Sequence, residues 1–129
     1  MAYGVINKAK TPVLVVPVEK KAGEEEACAP VARCGFNQHL LFATDFSPMA
    51  DNAFTYVEQL VALGAKQVSL VHVQDKIKLE QHPASKLAEF NEIDRIRLEN
   101  LKQALLTKGT LQVDTEVCHG IPYEEITRL

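Results

Sequence analysis

Leu40-Leu41-Phe42-Ala43-Thr44-Asp45-Phe46-Ser47-Pro48 is the stretch that decides the fold. Its first four residues form an unbroken apolar run, the pattern of a strand buried on both faces. The run stops at Thr44-Asp45. Ser47 then reads as an N-cap, because its hydroxyl can accept a hydrogen bond from an orphan amide of a first helical turn. Pro48 suits the first helical position, where an amide hydrogen has no partner in any case. Ala50, Ala53, Val57, Leu60, Val61 and Gly64 follow at helical spacing, with Gly64 as the C-terminal cap.

The same alternation continues downstream. Val68-Ser69-Leu70-Val71-His72-Val73 predicts a second strand, ending at Gln74-Asp75. A long helix is predicted from about Pro83 to Lys108, with Leu87, Phe90, Leu98, Leu101, Ala104 and Leu105 on one stripe and Gly109 ending it. Ile93 and Ile96 fall outside that stripe, either as ordinary exposed residues or as part of a partner surface. Leu111 to Val117 alternates as a half-buried or edge strand does, and Gly120-Ile121-Pro122-Tyr123-Glu124-Glu125-Ile126 opens a further helix with proline and acids in its first turn. Strand, helix, strand, helix, strand, helix with short connections predicts an α/β fold with a doubly wound parallel sheet. Ligands of such sheets sit beyond the carboxyl ends of the strands, so the default site is the Thr44-Asp45 corner.

Upstream of His39 the pattern changes. Thr11-Pro12-Val13-Leu14-Val15-Val16-Pro17-Val18 predicts an extra N-terminal strand, preceded over Tyr3–Lys10 by the last turns of a helix. Residues 19–38 hold a charge cluster, Gly23, Gly35 and Pro30 without an apolar period, and read as a linker. The expected organisation is therefore 1–18, a linker over 19–38, and a domain over 39–129.

Composition narrows the function. The chain has 129 residues, 47% apolar and 24% charged, with 14 basic and 17 acidic side chains and a net charge of −3. These are globular values. They argue against a sequence-independent nucleic-acid binder, which needs a basic surface excess. No stretch approaches the ~20 apolar residues that cross a bilayer, and the amino terminus has no signal-peptide pattern. Neither nucleic acid nor membrane is an expected partner. Cys28, Cys34 and Cys118 form an odd set without a CxxC pair, which fits a reducing, cytoplasmic setting.

Few residues carry chemistry. Asp45 either accepts hydrogen bonds from ribose hydroxyls or stabilises the strand-to-helix turn. Val73, ending the second strand, either offers its backbone to an adenine edge or is core. No GxGxxG or GxxxxGK[ST] phosphate cradle is present. His72, inside a strand, reads as a satisfied core or interface residue. Cys28, Cys34 and His39 lack a fourth metal ligand, and Cys118-His119 lacks a third member for a nucleophile site. The expectation is no catalytic residue and no metal site.

Three blocks resemble the universal stress protein A family: Leu41 to Pro48, Val68 to Val73, and His119 to Ile126. The resemblance implies a five-stranded parallel sheet of order 3-2-1-4-5, incomplete here, and frequent dimerisation through the last strand. It implies nucleotide contacts from Asp45 and Val73, with Ala43 and Thr44 lining the same corner. ATP and AMP are the cofactors it admits, neither required by the residues themselves. The family's glycine-rich phosphate loop follows a fourth strand that this sequence lacks. Residues 5–16 resemble the family's final helix and strand. Two organisations fit: a fragment of a tandem universal stress protein, or a complete, permuted-looking chain. The expected function is a stress-response module acting through homo-oligomerisation by strand pairing or through regulatory protein partners, with at most a partial adenine-nucleotide site. The alternative is an ATP-binding member, capable of slow hydrolysis, whose phosphate loop comes from a missing segment or a second chain.

Overall fold

Three parallel strands carry the domain, and their register follows from which residues can be buried. β3 (His39–Ala43) pairs with β4 (Gln67–Asp75), Phe42 opposite Leu70 and Ala43 opposite Val71. β4 pairs on its other side with β5 (Gln112–Gly120), Val68 opposite Val113 and Val73 opposite Cys118. The structure, a computed structural model, describes residues 8, 13, 18–20, 28–30, 38–80, 83–109 and 112–129. The chain divides into two units, Met1–Gly35 and Phe36–Leu129.

In the first unit β1 (Val18–Lys20) and β2 (Cys28–Pro30) pair antiparallel, with Glu19 opposite Ala29. Both lie in or at the border of the stretch read as a linker. Backbone ladders need no apolar period, so composition gave no sign of this pairing. The strand expected over Pro12–Val18 and the helix over Tyr3–Lys10 lie outside the described residues, apart from Lys8, Val13 and Val18.

In the second unit the connections are α1 (Pro48–Ala62), a short α2 (Lys76–Leu79) with α3 (Ala84–Leu106), and α4 (Pro122–Arg128). Side chains alternate across a strand, so Phe42, Val68, Leu70 and Val113 share one face. There they form the core with Phe54, Val57 and Val61 of α1 and Leu98 and Leu105 of α3. Leu41, Ala43, Val71 and Val73 belong to the opposite face, and α4 packs against β4 and β5. The result is the predicted α/β fold: a parallel sheet with helices on both faces, in the order β3-β4-β5.

Local signals account for most element ends. Ser47 caps α1, its Oγ accepting from the Ala50 amide at 3.2 Å. Gly64, at φ +101°, ends the helix by donating to the Val61 carbonyl, while Ala65 donates to that of Leu60. This is the Schellman pattern, for which glycine is suited because it lacks Cβ. The stripe of α1 differs in one position from its reading: Ala53 is exposed and Phe54 buried, its ring 5.5 Å from that of Phe42. The larger ring takes the interior position because it removes more apolar surface from water. β4 ends at Asp75 as expected, while β5 runs further than expected, to Gly120, because the ladder between them continues through polar residues.

Candidate functional site

The carboxyl ends of β3 and β4 and the start of α4 enclose a cleft of about 210 Å³, lined by Ala43, Thr44, Asp45, Val73, Pro122 and Ile126. All four residues singled out in the sequence border this one space. Parallel pairing explains it: with Ala43 opposite Val71, the residue two further along β4, Val73, stands on the same face beyond the end of β3.

The corner itself is held by a dense set of hydrogen bonds. Thr44 is buried; its amide donates to the Val71 carbonyl at 2.9 Å, extending the ladder by one rung. Its Oγ1 accepts from the Phe46 amide at 3.0 Å. Asp45 Oδ1 accepts from the Ser47 amide at 3.0 Å, an Asx-type turn. Hydrogen bonding from the Ser47 hydroxyl, then from its amide, holds the Asp45 carboxyl below the ordinary carboxylate range, with His72 adding a smaller electrostatic effect. Asp45 thus stabilises the turn while standing exposed on the cleft wall. A low-pKa carboxylate there is an acceptor for hydroxyl donors.

Phe46 has φ +57°, a left-handed conformation that costs a non-glycine residue about 1–3 kcal/mol. Its ring packs on His72 with centroids 4.6 Å apart, and the Arg97 guanidinium lies 5.2 Å from its centre. His72 in turn faces the Thr44 carbonyl, Nδ1 to O 2.8 Å. The carbonyl only accepts, so Nδ1 carries a proton and donates. Its Nε2 is 3.4 Å from Asp94 Oδ2, an ion pair in the imidazolium form. Asp94 also accepts from Gln74 Nε2 at 2.7 Å and has Arg97 at 3.7 Å. His72 is therefore a satisfied, half-buried residue tying the corner to α3.

Sequence reasoning missed several of these positions. Phe46 carries no local mark of its backbone conformation. Pro122 and Ile126 stood in a quoted block, but only the fold brings them opposite Ala43 and Val73. Asp94 reads as a solvated helix residue, yet it is buried. Burial first, then hydrogen bonding with Glu116, pushes the Cys118 thiol up. His119 Nε2 lies 3.0 Å from Asn91 Oδ1 instead of pairing with it.

The model of the family described as "Universal stress protein family" matches residues 37–129. The chain belongs to the universal stress protein family. Among solved structures, this universal stress protein chain is 33% identical to hypothetical protein MJ0577, with a TM-score of 0.63. The match covers 71% of this chain and 65% of that one. Universal stress protein UspA from Lactobacillus plantarum is 20% identical with a TM-score of 0.54, covering 70% of this chain and 66% of its own. A universal stress protein from Archaeoglobus fulgidus is 19% identical with a TM-score of 0.60, covering 71% of this chain and 34% of its own. The latter two show the fold. The chain thus spans just under two thirds of the length of the first two structures. Comparison with curated protein sequences gives no match. No helix among the described residues is long and apolar enough to cross a membrane.

Proposed function

We propose that this universal stress protein is a cytoplasmic stress-response module whose corner recognises the adenosine end of an adenine nucleotide. The observation that carries the reading is the convergence of Ala43, Thr44, Asp45 and Val73 on one cleft of about 210 Å³. Asp45 receives ribose hydroxyls, Val73 meets the adenine edge, and Pro122 and Ile126 supply apolar contact to the base. No glycine cradle for AMP or ATP phosphates stands within residues 1–129, so the reading is confined to the adenosine end, and we assign it no catalytic role. Output runs through self-association or regulatory protein partners. Supporting that part, β3 pairs with β4 alone among the described residues, and Leu41 on it is 47% exposed. Such an edge invites pairing with another strand. The organisation we propose remains a tail of one domain over 1–18, a linker over 19–38 and most of a second domain over 39–129.

Titration calorimetry with adenosine, AMP and ATP tests the assignment. Equal affinities within about threefold are expected, because β- and γ-phosphates have no backbone donors to meet. A preference for ATP of about tenfold, ~1.4 kcal/mol, shows that another segment or chain supplies a phosphate loop. Loss of adenosine binding in Asp45→Ala with the fold retained supports the ribose role, and unchanged binding removes it.

A further inference from the structure

A second cleft lies on the opposite side of the end of β4. It has a volume of about 310 Å³, at the lower end of the range for small-molecule sites. Leu79 of α2 and Phe90 and Ile93 of α3 form its apolar wall, and Gln74, Asp75, Asp94 and Arg97 complete its lining. Ile93, which fell outside the buried stripe of α3, is 39% exposed and stands at this cleft. Neighbouring residues of a strand face opposite ways. Val73 therefore serves the corner cleft and Gln74 this one.

Gln74 marks the site chemically. It is only 4% exposed, and its amide nitrogen is committed to Asp94 Oδ2 at 2.7 Å. A carboxylate cannot donate, so this bond fixes which way the amide points. Oε1 is then buried with no hydrogen-bond partner among the described residues. An unpaired buried acceptor is costly, and native structures rarely keep one without a reason. The terminal torsion of a glutamine is soft. A ligand seated in the cleft that Gln74 lines would give Oε1 the donor it lacks, with a small adjustment of the whole amide.

We propose that this cleft is a second ligand site, taking a small amine with a compact aromatic or alicyclic body. The charge balance selects the amine. Asp75 and Asp94 are acidic, and Arg97, the one cation among the described residues lining the cleft, is already placed beside Asp94 and over the Phe46 ring. An ammonium group donates to Oε1 and is attracted by the carboxylates, and the hydrocarbon body covers Leu79 and Ile93. Occupancy reaches the first cleft through Gln74, Asp94, His72 and the Thr44 carbonyl, each joined to the next by the contacts described above. The site itself does not depend on the nucleotide reading.

Amide NMR of the full chain, titrated without nucleotide, tests this with benzylamine, and with benzoate and toluene as controls of similar size. Benzylamine is expected to move the Leu79, Ile93 and Asp94 amides with a Kd of about 1 mM, reasonable for so few heavy atoms. The controls are expected to bind at least tenfold more weakly. Gln74→Met keeps the volume without the acceptor and should weaken benzylamine about tenfold. Ile93→Lys, a change at a partly exposed position, should do the same by repulsion and covers the case in which the Gln74 variant fails to fold. No shifts at ten times that concentration, equal binding of benzoate or toluene, or an unchanged Kd in Ile93→Lys overturns the site. Shifts at Thr44 and Phe46 along the same saturation curve support the connection to the corner; their absence overturns that connection.

Discussion

The two walls of the corner cleft are built in different ways. The turn from β3 into α1 is a local construction: Asp45 takes the Ser47 amide, Ser47 caps the helix, and Pro48 occupies its first position. The turn from β5 into α4 has no side-chain cap, and relies on Pro122 in the first turn and on Glu124 and Glu125 there. Its closeness comes from Gly120. A Cβ at that position would lie 2.6 Å from Glu125 Oε1 and 2.8 Å from its Cγ. One wall is thus specified by hydrogen bonds within five residues, the other by an absent side chain. The difference teaches that the first wall tolerates loss of any single bond, whereas the second depends on one contact distance.

The comparison breaks most visibly at Asp94, which braces the first wall from a distance. Asp94→Ala leaves the buried Gln74 amide donor facing no acceptor and removes the carboxylate beside His72 and Arg97, and should cost about 3 kcal/mol, measured by urea denaturation. A loss under about 1 kcal/mol would mean that the first wall is independent of α3.

Gly120→Ala comes next. The Gly120 φ of +157° is one that residues with a Cβ rarely adopt, and crowding against Glu125 adds to that strain. The change should cost about 2 kcal/mol, of which Glu125→Ala in the same chain should recover only the crowding part. A double variant as unstable as the single one would place the cost in the backbone instead.

Ser47→Ala removes one cap and should cost about 1 kcal/mol, leaving the α4 wall untouched. Thermal melting reads this, with a fall of about 4–8 °C for a domain of this size. An unchanged melting temperature would show that Asp45 alone holds the turn.

The smallest effect is on pH dependence. Asp45 has a folded pKa lowered from the ordinary 3.8. Its contribution to stability is complete above 3.8 and is lost as pH falls through the lower folded value. Because the group is exposed, the effect is small. Asp45→Asn should flatten the stability profile slightly below pH 3.8 and leave it unchanged near pH 7. An altered profile confined to neutral pH would assign the lowering to another group.

Much of this was legible before any coordinates. Leu40 to Ala43 reads as a buried strand because its apolar residues are consecutive, and Gly64 as a helix end because few other residues adopt its backbone conformation. The spacing places Ala53 on the buried stripe, whereas Phe54 beside it turns inward against the Phe42 ring. The short ladder joining Val18–Lys20 to Cys28–Pro30 was not visible, since its bonds are between backbone groups that every sequence possesses.

By itself the sequence determined the parallel strands and long helices from His39 onward, because periodicity, capping and turn chemistry act over a few neighbours; the four corner residues are proposed from the resemblance to the family. Tertiary structure alone decided that Pro122 and Ile126 close the corner cleft, that Asp94 lies beneath His72, and that Gln74 keeps an acceptor unpaired inside a second cleft. Those outcomes depend on pairing register and on the packing of α3 and α4, which join residues 20 or more positions apart. Burial and polar satisfaction are settled at that range, where no local pattern records them.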